Sequence, residues 1–502
     1  MKTTRLESAL ALCLLALAGC AVGPDYARPQ LDTGRAYAQG PAMDERAERD
    51  IPADWWTAFG HPELDRLVAE ALRANPTLEA ARHALRVAQE NRRVQDAALW
   101  PQLQASYSPT RTKIAGNLGG NSPGVQGDGS VIETGANTPA AEGGTAPFNT
   151  PVIYNFHTAQ VSVSYAPDVF GANRRQSEAA AALAEAQRHE WQAARVTLVA
   201  NLVSAAIQDG QWREQIRAAE AGAQAAEAAL QLAQRQRRAG YAAAQDEDAA
   251  RSALLAQQQI LPGLRQQLEQ NRHLMRTLIG APQDRPMPEF ALHDFRLPPE
   301  LPLSLPSRLL EQRPDVRAAE EQLHAAVAQV GGARAARLPQ FSITGNAGGA
   351  AAHLSQAFWA SGRFFDLTAN LVVPLFDAGA ARHRERAAAA AADQAQAQYR
   401  ATVLAALQNV ADALHAIEAD EKAFELAERG RDVARRSWAT AKRRQDAGYA
   451  DRTGTLAAEL ASRQAEQQLA GAQATRLSNV VALFQALGGG WWNLPPESAQ
   501  LR

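Results

Sequence analysis

Apolar and polar positions follow two different periods along this chain. Val403, Leu407, Val410, Leu414 and Ile417 step by four, three, four and three, the heptad seam of packed helices. Leu261, Leu264, Leu268, Met275 and Leu278 continue such a seam in another segment. Proline is absent from Ala172 to Ala239 and again from Ala380 to Ala447, two runs of 68 residues. Each is long enough for a helix of about 100 Å. The other apolar positions of these runs are mostly alanine, as in Ala387 to Ala392. Small residues let helices pack on more than one side, as a multi-helix cylinder requires; a long two-stranded coiled coil satisfies the same pattern. The second period is two. Val161, Val163 and Tyr165 alternate with Gln160, Ser162 and Ser164, which predicts a strand with one apolar and one polar face. Strands are predicted over 102–108, 158–165, 340–344 and 366–373.

The chain is written twice. Asn75-Pro76-Thr77-Leu78-Glu79-Ala80-Ala81 returns as Arg313-Pro314-Asp315-Val316-Arg317-Ala318-Ala319, and Trp100-Pro101-Gln102-Leu103 as Leu338-Pro339-Gln340-Phe341, both offset by 238. Ala239-Gly240-Tyr241-Ala242 returns as Ala447-Gly448-Tyr449-Ala450, offset by 208. The difference falls in residues 111–151, rich in Gly, Asn, Thr and Pro, whose shorter counterpart is 345–363. Such a period is too long for a solenoid and points to a duplicated supersecondary unit. Each unit reads helix, strand, strand, long helix, turn, helix. Pro76 and Pro314 suit a first helical turn, and Gly240 and Gly448 suit the position after a helix end. Pro262-Gly263 interrupts the first return helix, so a kink or break is expected there.

Composition narrows the class. The 502 residues carry 51 Lys+Arg against 53 Asp+Glu, a formal charge of −2, unlike the basic balance of a nucleic-acid protein. Two cysteines exclude a disulfide framework. Nowhere do 20 apolar residues run together, so no ordinary transmembrane helix is expected. Lys2 and Arg5 precede a short Ala/Leu stretch ending at Gly19, the layout of a secretory signal. Leu17-Ala18-Gly19-Cys20 resembles a bacterial lipobox, which implies cleavage after residue 19 and a covalent lipid on Cys20, with Ala21 favouring the outer membrane. Loss of Lys2, Arg5 and Glu7 would take the charge to −3, and several acyl chains make a firm anchor. An ordinary signal peptide with an incidental Cys is the plainer alternative.

Two units supply four strands, too few to close a barrel, and open edges do not persist in lipid. Eight strands, from two chains, would nearly fill their own lumen; twelve, from three chains, would leave a pore. If these strands enter a membrane, geometry prefers three or more copies. A small soluble sheet on a helical stalk is the other reading.

Taken together, these features resemble the TolC-like outer-membrane factors, in the NodT-type efflux lipoprotein branch. Cys20 followed by Gly23-Pro24-Asp25-Tyr26-Ala27-Arg28-Pro29, then Asp54-Trp55-Trp56, carry the resemblance. So do Arg313 to Glu320, Pro374-Leu375-Phe376-Asp377-Ala378-Gly379 and Ala486-Leu487-Gly488-Gly489-Gly490-Trp491. The resemblance implies a mainly α fold with a small β part: a homotrimer whose long coiled-coil hairpins form an α-helical barrel and whose strands form a 12-stranded transmembrane β-barrel. It divides the chain into a signal peptide (1–19), a lipidated N-terminal and equatorial segment (20–62), a first repeat (63–280), an equatorial linker (281–312), a second repeat (313–487) and a C-terminal equatorial segment (488–502). The implied function is the exit duct of a tripartite exporter. A periplasmic adaptor would join it to an inner-membrane pump, most often of the resistance–nodulation–division type. The implied location is the outer membrane, lipid-anchored, with a long periplasmic extension.

The same resemblance makes Tyr449, Asp451 and Arg452 candidates for a periplasmic gate held by Asp–Arg pairs between neighbours. Exposed pairs are worth about 0–1 kcal/mol each, weak enough for an adaptor to release; a solvated turn is the bland alternative. Gly240, Tyr241, Asp246 and Gly448 are hairpin-tip or adaptor-facing candidates, with Asp246, Glu247 and Asp248 expected as solvated surface. The chain departs from the family at Leu456-Ala457, where many members carry Leu-Asp; the nearest acid is Glu459.

No catalytic constellation emerges. His189-Glu190 lacks the second His of a zinc helix, the glycines from Gly116 to Gly129 read as a loop, and no Walker-type stretch occurs. No enzyme activity, metal or cofactor beyond the lipid is expected. Two rivals remain: a periplasmic adaptor, against which the duplication and paired strands argue, and a non-conducting, lipid-anchored coiled-coil scaffold. The exported substrate is not written in the sequence.

Overall fold

A computed structural model describes residues 21–31, 50–114, 152–298, 301 and 306–494. The signal segment, Cys20, the 115–151 loop and residues 495–502 lie outside the described residues. The element order is α1 (Pro62–Ala74), α2 (Pro76–Ala97), β1 (Gln102–Ile114), β2 (Val152–Tyr165), α3 (Ala172–Arg238), α4 (Ala244–Leu278), α5 (Pro306–Gln312), α6 (Pro314–Ala335), β3 (Gln340–Ala351), β4 (Arg363–Val372), α7 (Ala380–Asp446) and α8 (Arg452–Ala486). Element lengths match between the two halves of the chain: α2 and α6 have 22 residues each, α3 and α7 have 67, α4 and α8 have 35.

The chain forms two compact units. One comprises 21–27, 89–182 and 324–394. It holds a four-stranded antiparallel sheet in the order β1-β2-β3-β4. Beneath the strands, Ala179 and Ala182 of α3 pack on Ala325 and Ala328 of α6 as a buried cluster. Alanine here is core rather than filler, because it lets two helices approach closely. Both long helices start under a carboxylate. Asp168 accepts from the N–H groups of Asn173 (3.0 Å) and Arg174 (2.8 Å), and Asp377 from those of Gly379 (2.9 Å) and Ala381 (2.7 Å). Those bonds, that to Ala381 foremost, hold the Asp377 carboxyl below its ordinary range and satisfy donors a helix start leaves open.

The other unit comprises 28–88, 183–323 and 395–494 and is helical. The α7 seam differs from the sequence expectation. Val403, Ala406, Val410 and Ala413 form its buried line, while Leu407, Leu414 and Ile417 are half-buried. Segments 51–60, 285–296 and 488–493 wrap this unit. Trp55 stacks on Phe484 at 4.9 Å, Arg296 N–H donates to the Phe59 carbonyl at 3.0 Å, and Asp50 accepts from Trp492 and Asn493 (2.9 and 2.7 Å).

Two expectations change. The break at Pro262 does not occur: α4 runs through it to Leu278. Pro262 and Gly263 are exposed, so the carbonyl left without its helical donor faces water, which tolerates it. The strands also reach beyond their predicted ends, β3 running to Ala351 through glycines that read as loop. Gly348 lies against the Ala159 carbonyl and Gln160 of β2, where a Cβ would collide.

Candidate functional site

The sheet sorts its side chains by face. Register places Gln104 opposite Ser162, Ser162 opposite Asn346 and Asn346 opposite Asp366. One residue along each strand, Leu103 meets Val163, Val163 meets Gly345 and Gly345 meets Leu367. Over the helix-proximal part of the sheet one face therefore carries hydroxyls and amides and the other aliphatic and aromatic groups; toward the far strand ends Phe156 and Phe364 stand on the polar alternation, and Asn155, His157, Arg111 and Arg363 on the apolar one. The apolar face is uncovered: Phe365 is 86% and Leu367 77% exposed, and Phe341, Ile343 and Val161 are also exposed. On the polar face Ser162, Ser342, Thr344, Asn346 and Asp366 are half-covered, while Gln104, Ser164, Thr368 and Asn370 are exposed. This reverses the polarity of a soluble sheet. It suits a wall with lipid outside and water within.

The second candidate region is the pair of hairpin turns. Tyr241 N–H donates to the Gln236 carbonyl (2.8 Å) and Gly240 N–H to that of Arg237 (3.0 Å). Tyr449 and Gly448 repeat both bonds on Arg444 (2.8 Å) and Gln445 (2.9 Å). These paired bonds are a Schellman ending. They need left-handed backbone at Gly240 (φ 80°) and Gly448 (φ 77°). The turn throws the next side chain outward, so Tyr241 is 86% and Tyr449 83% exposed.

Beyond the turns each return helix takes one half of a capping box. Asp246 reaches back to the Ala243 N–H at 2.8 Å; Asp451 reaches forward to the Gly454 N–H at 3.2 Å. Arg452 is exposed at the start of α8. Neither Asp451 nor Arg452 makes an ion pair within the described residues. Glu247 departs from the expected solvated surface. It is buried between Arg237 of α3 (2.7 Å) and Arg251 of α4 (2.8 Å). The Arg237 hydrogen bond, foremost, lowers its pKa. At the equivalent place in the second hairpin stands the buried Thr455, whose hydroxyl donates to the Ala441 carbonyl at 3.3 Å. Leu456 is buried and Ala457 exposed. Glu459 pairs with Arg463 at 3.7 Å, whose guanidinium lies 5.0 Å over the Trp438 ring.

Sequence reasoning did not single out Asp366 or Asn346, and it placed Glu247 on the surface. For Asp366 the signal was its even position in β4 with Thr368 and Asn370, against Phe365, Leu367 and Leu371 on odd positions. For Glu247 it was an arginine four residues on, at 251.

Known proteins resemble this chain over most of its length. The family model described as outer membrane efflux protein matches residues 67–281 and 305–489. The pyoverdine export outer membrane protein OpmQ of Pseudomonas putida is 31% identical over 438 residues, covering 87% of this chain and 88% of that protein. The toluene efflux pump outer membrane protein TtgF of P. putida is 28% identical over 509 residues, covering 99% of each. Among solved structures, the outer-membrane channel OprN superposes with a TM-score of 0.78 at 28% identity, covering 94% of this chain and all of that one.

Proposed function

The chain belongs to the outer membrane efflux protein family, and from that membership we propose that three copies assemble into the exit duct of a tripartite exporter. The protein is an efflux channel of the outer membrane, and its family is one of channels rather than enzymes. The observation that carries the finer reading is the reversed polarity of the sheet. Four strands with an apolar face uncovered and both edges free are unstable alone in lipid. Three such sheets joined edge to edge give twelve strands, a closed wall and a watery lumen. The matching halves of the chain are read as a duplication. Each half contributes one strand pair to the barrel and one helical hairpin to a periplasmic barrel.

Cys20 is the proposed lipid anchor. The exposed tips at Gly240-Tyr241 and Gly448-Tyr449, with Asp246 beside the first, are the proposed docking points of a periplasmic adaptor. The adaptor links the duct to an inner-membrane pump, proposed to be of the resistance–nodulation–division type. Asp451 and Arg452 are the proposed gate, pairing between neighbours around the three-fold axis. Relatives named for pyoverdine and for toluene differ in cargo, so the cargo here is assigned to the pump.

Planar-bilayer conductance of the purified, lipidated protein tests this reading, beside a variant carrying both Asp451→Ala and Arg452→Ala. The expected result is a small wild-type conductance that rises in the variant. No conductance from either, in protein shown to be inserted, overturns the duct and leaves a lipid-anchored scaffold.

A further inference from the structure

The polar face of the sheet is nearly free of charge. Toward the helix end of the strands its alternate positions carry Gln, Ser, Thr and Asn, Phe156, Phe364 and Val372 share the same alternation, and among the described side chains Asp366 is its one formally charged group. The basic residues of these strands, Arg111, Lys113 and Arg363, stand on the other alternation, at the strand ends away from the helices. Asp366 makes no ion pair among the described residues. Its cross-strand partner is Asn346, whose Nδ2 donates to Oδ2 at 3.0 Å. That bond aims the carboxylate along the polar face and leaves its other oxygen open. An asparagine at 366 would accept the same bond, so the fold explains an acceptor here but not a charge.

We propose that Asp366 is a specificity-determining residue of the pore, a carboxylate set into the wall of the outer-membrane barrel that favours cations over anions within that section of the duct. The proposal rests on the trimeric barrel reading above. Each chain supplies four strands spaced about 4.8 Å apart, so the carboxylate recurs every ~19 Å of wall. The screening length is ~30 Å at 0.01 M salt and ~3 Å at 1 M. The three charges therefore act as one field in dilute salt and vanish in concentrated salt. The uncharged side chains on the rest of that face leave the field unopposed, and a low-dielectric wall focuses it.

Two measurements separate this proposal from the reading beneath it. The first is labelling of Asp366→Cys and Leu367→Cys by a charged, membrane-impermeant thiol reagent in proteoliposomes, against the unsubstituted protein. Labelling at 366 with protection at 367 is expected. Equal labelling overturns the barrel and the proposal together. The second is the reversal potential across a salt gradient for wild type and Asp366→Asn, which keeps the shape and the Asn346 bond. Any selectivity from elsewhere in the duct is common to both proteins, so their difference reports residue 366. Near 0.01 M salt the cation-to-anion permeability ratio is expected to fall at least about twofold in Asp366→Asn, with the difference gone near 1 M. Equal ratios at low salt, with the labelling as expected, overturn the proposal and leave the barrel standing.

Discussion

Asn75 and Leu278 are joined by a 2.9 Å hydrogen bond, from the side-chain amide of the first to the carbonyl of the second. It ties the residue before α2 to the last residue of α4. Arg313, before α6, repeats the contact, donating from Nη1 to the Ala486 carbonyl at the end of α8, also at 2.9 Å. Different side chains thus close the same joint. Asn75 also caps its own helix through the Leu78 N–H at 2.8 Å; in the second half Asp315 pairs with Arg313 and accepts from the Val316 N–H at 2.9 Å.

The joint is as tight in backbone as in side chain. Gly280 (φ 67°) and Gly488 (φ 96°) follow the two return helices, and a Cβ at either would strike the carbonyl of Ala74 or Gln312. Gly280→Ala and Gly488→Ala are each expected to cost about 2 kcal/mol or more, read as a lowered thermal midpoint. Gly263→Ala is the control. It is helical with open space around it, and should stabilise by about 1 kcal/mol.

These joints show what was legible in sequence. Pro76, Pro314, Gly240 and Gly448 marked helix ends because proline and glycine act locally, through one residue's own dihedrals. The heptad step marked the long helices because its spacing is itself close to the helical period. The sheet was half legible. Val161, Val163 and Tyr165 announced two faces, but Gly345 to Gly349 carry no side-chain period, and their pairing to β2 is a long-range fact. Alanine burial was illegible in detail, since Ala406 and Ala413 look like any other alanine until a partner helix covers them. Glu247 read as surface because its main counter-charge, Arg237, is on the preceding helix. Pro262 did not break its helix, because a proline's cost depends on which side of the helix faces water.

His189 should set an acid limit on stability. The ring is 1% exposed, sits at the edge of Trp491 at 5.7 Å, and lies 3.0 Å through Nδ1 from Gln192 Oε1. Burial, helped by the Arg188 charge, lowers its pKa from 6.5 to about 4. Between those values the unfolded chain binds the extra proton, so stability rises with pH across the window and is lost as pH falls through it. The loss approaches about 3 kcal/mol by the acid end. Melting between pH 7 and pH 4 should show this fall, and His189→Asn should flatten the slope. A slope unchanged by the substitution would assign the acid sensitivity elsewhere.

Asp451 combines two roles that substitution can separate. Its carboxylate caps α8 through Gly454, and in the proposed gate it also carries charge. Asparagine caps about as well as aspartate, whereas alanine costs about 1 kcal/mol. If the charge holds the mouth shut, Asp451→Asn should raise conductance as far as Asp451→Ala does. A rise in the alanine variant alone would assign closure to the helix cap and remove the ion-pair gate.

The two hairpins are clasped by different chemistry, and only one clasp should feel acid. Glu247 bridges Arg237 and Arg251 across the first hairpin, while Thr455 holds the second through a neutral hydroxyl. The folded pKa of Glu247 lies below its ordinary value. Its contribution is therefore complete at neutral pH, present above the unfolded carboxylate value, and lost only as pH falls through the depressed folded value. At neutral pH the clasp is broken by Glu247→Gln instead, which leaves two arginines facing an amide. Amide exchange over 234–251 should then quicken, with 441–458 unchanged. Protease cleavage should likewise appear first at the Tyr241 turn. Equal acceleration in both hairpins would mean that the tips open as one body, and that the charged clasp does not act on its own hairpin alone.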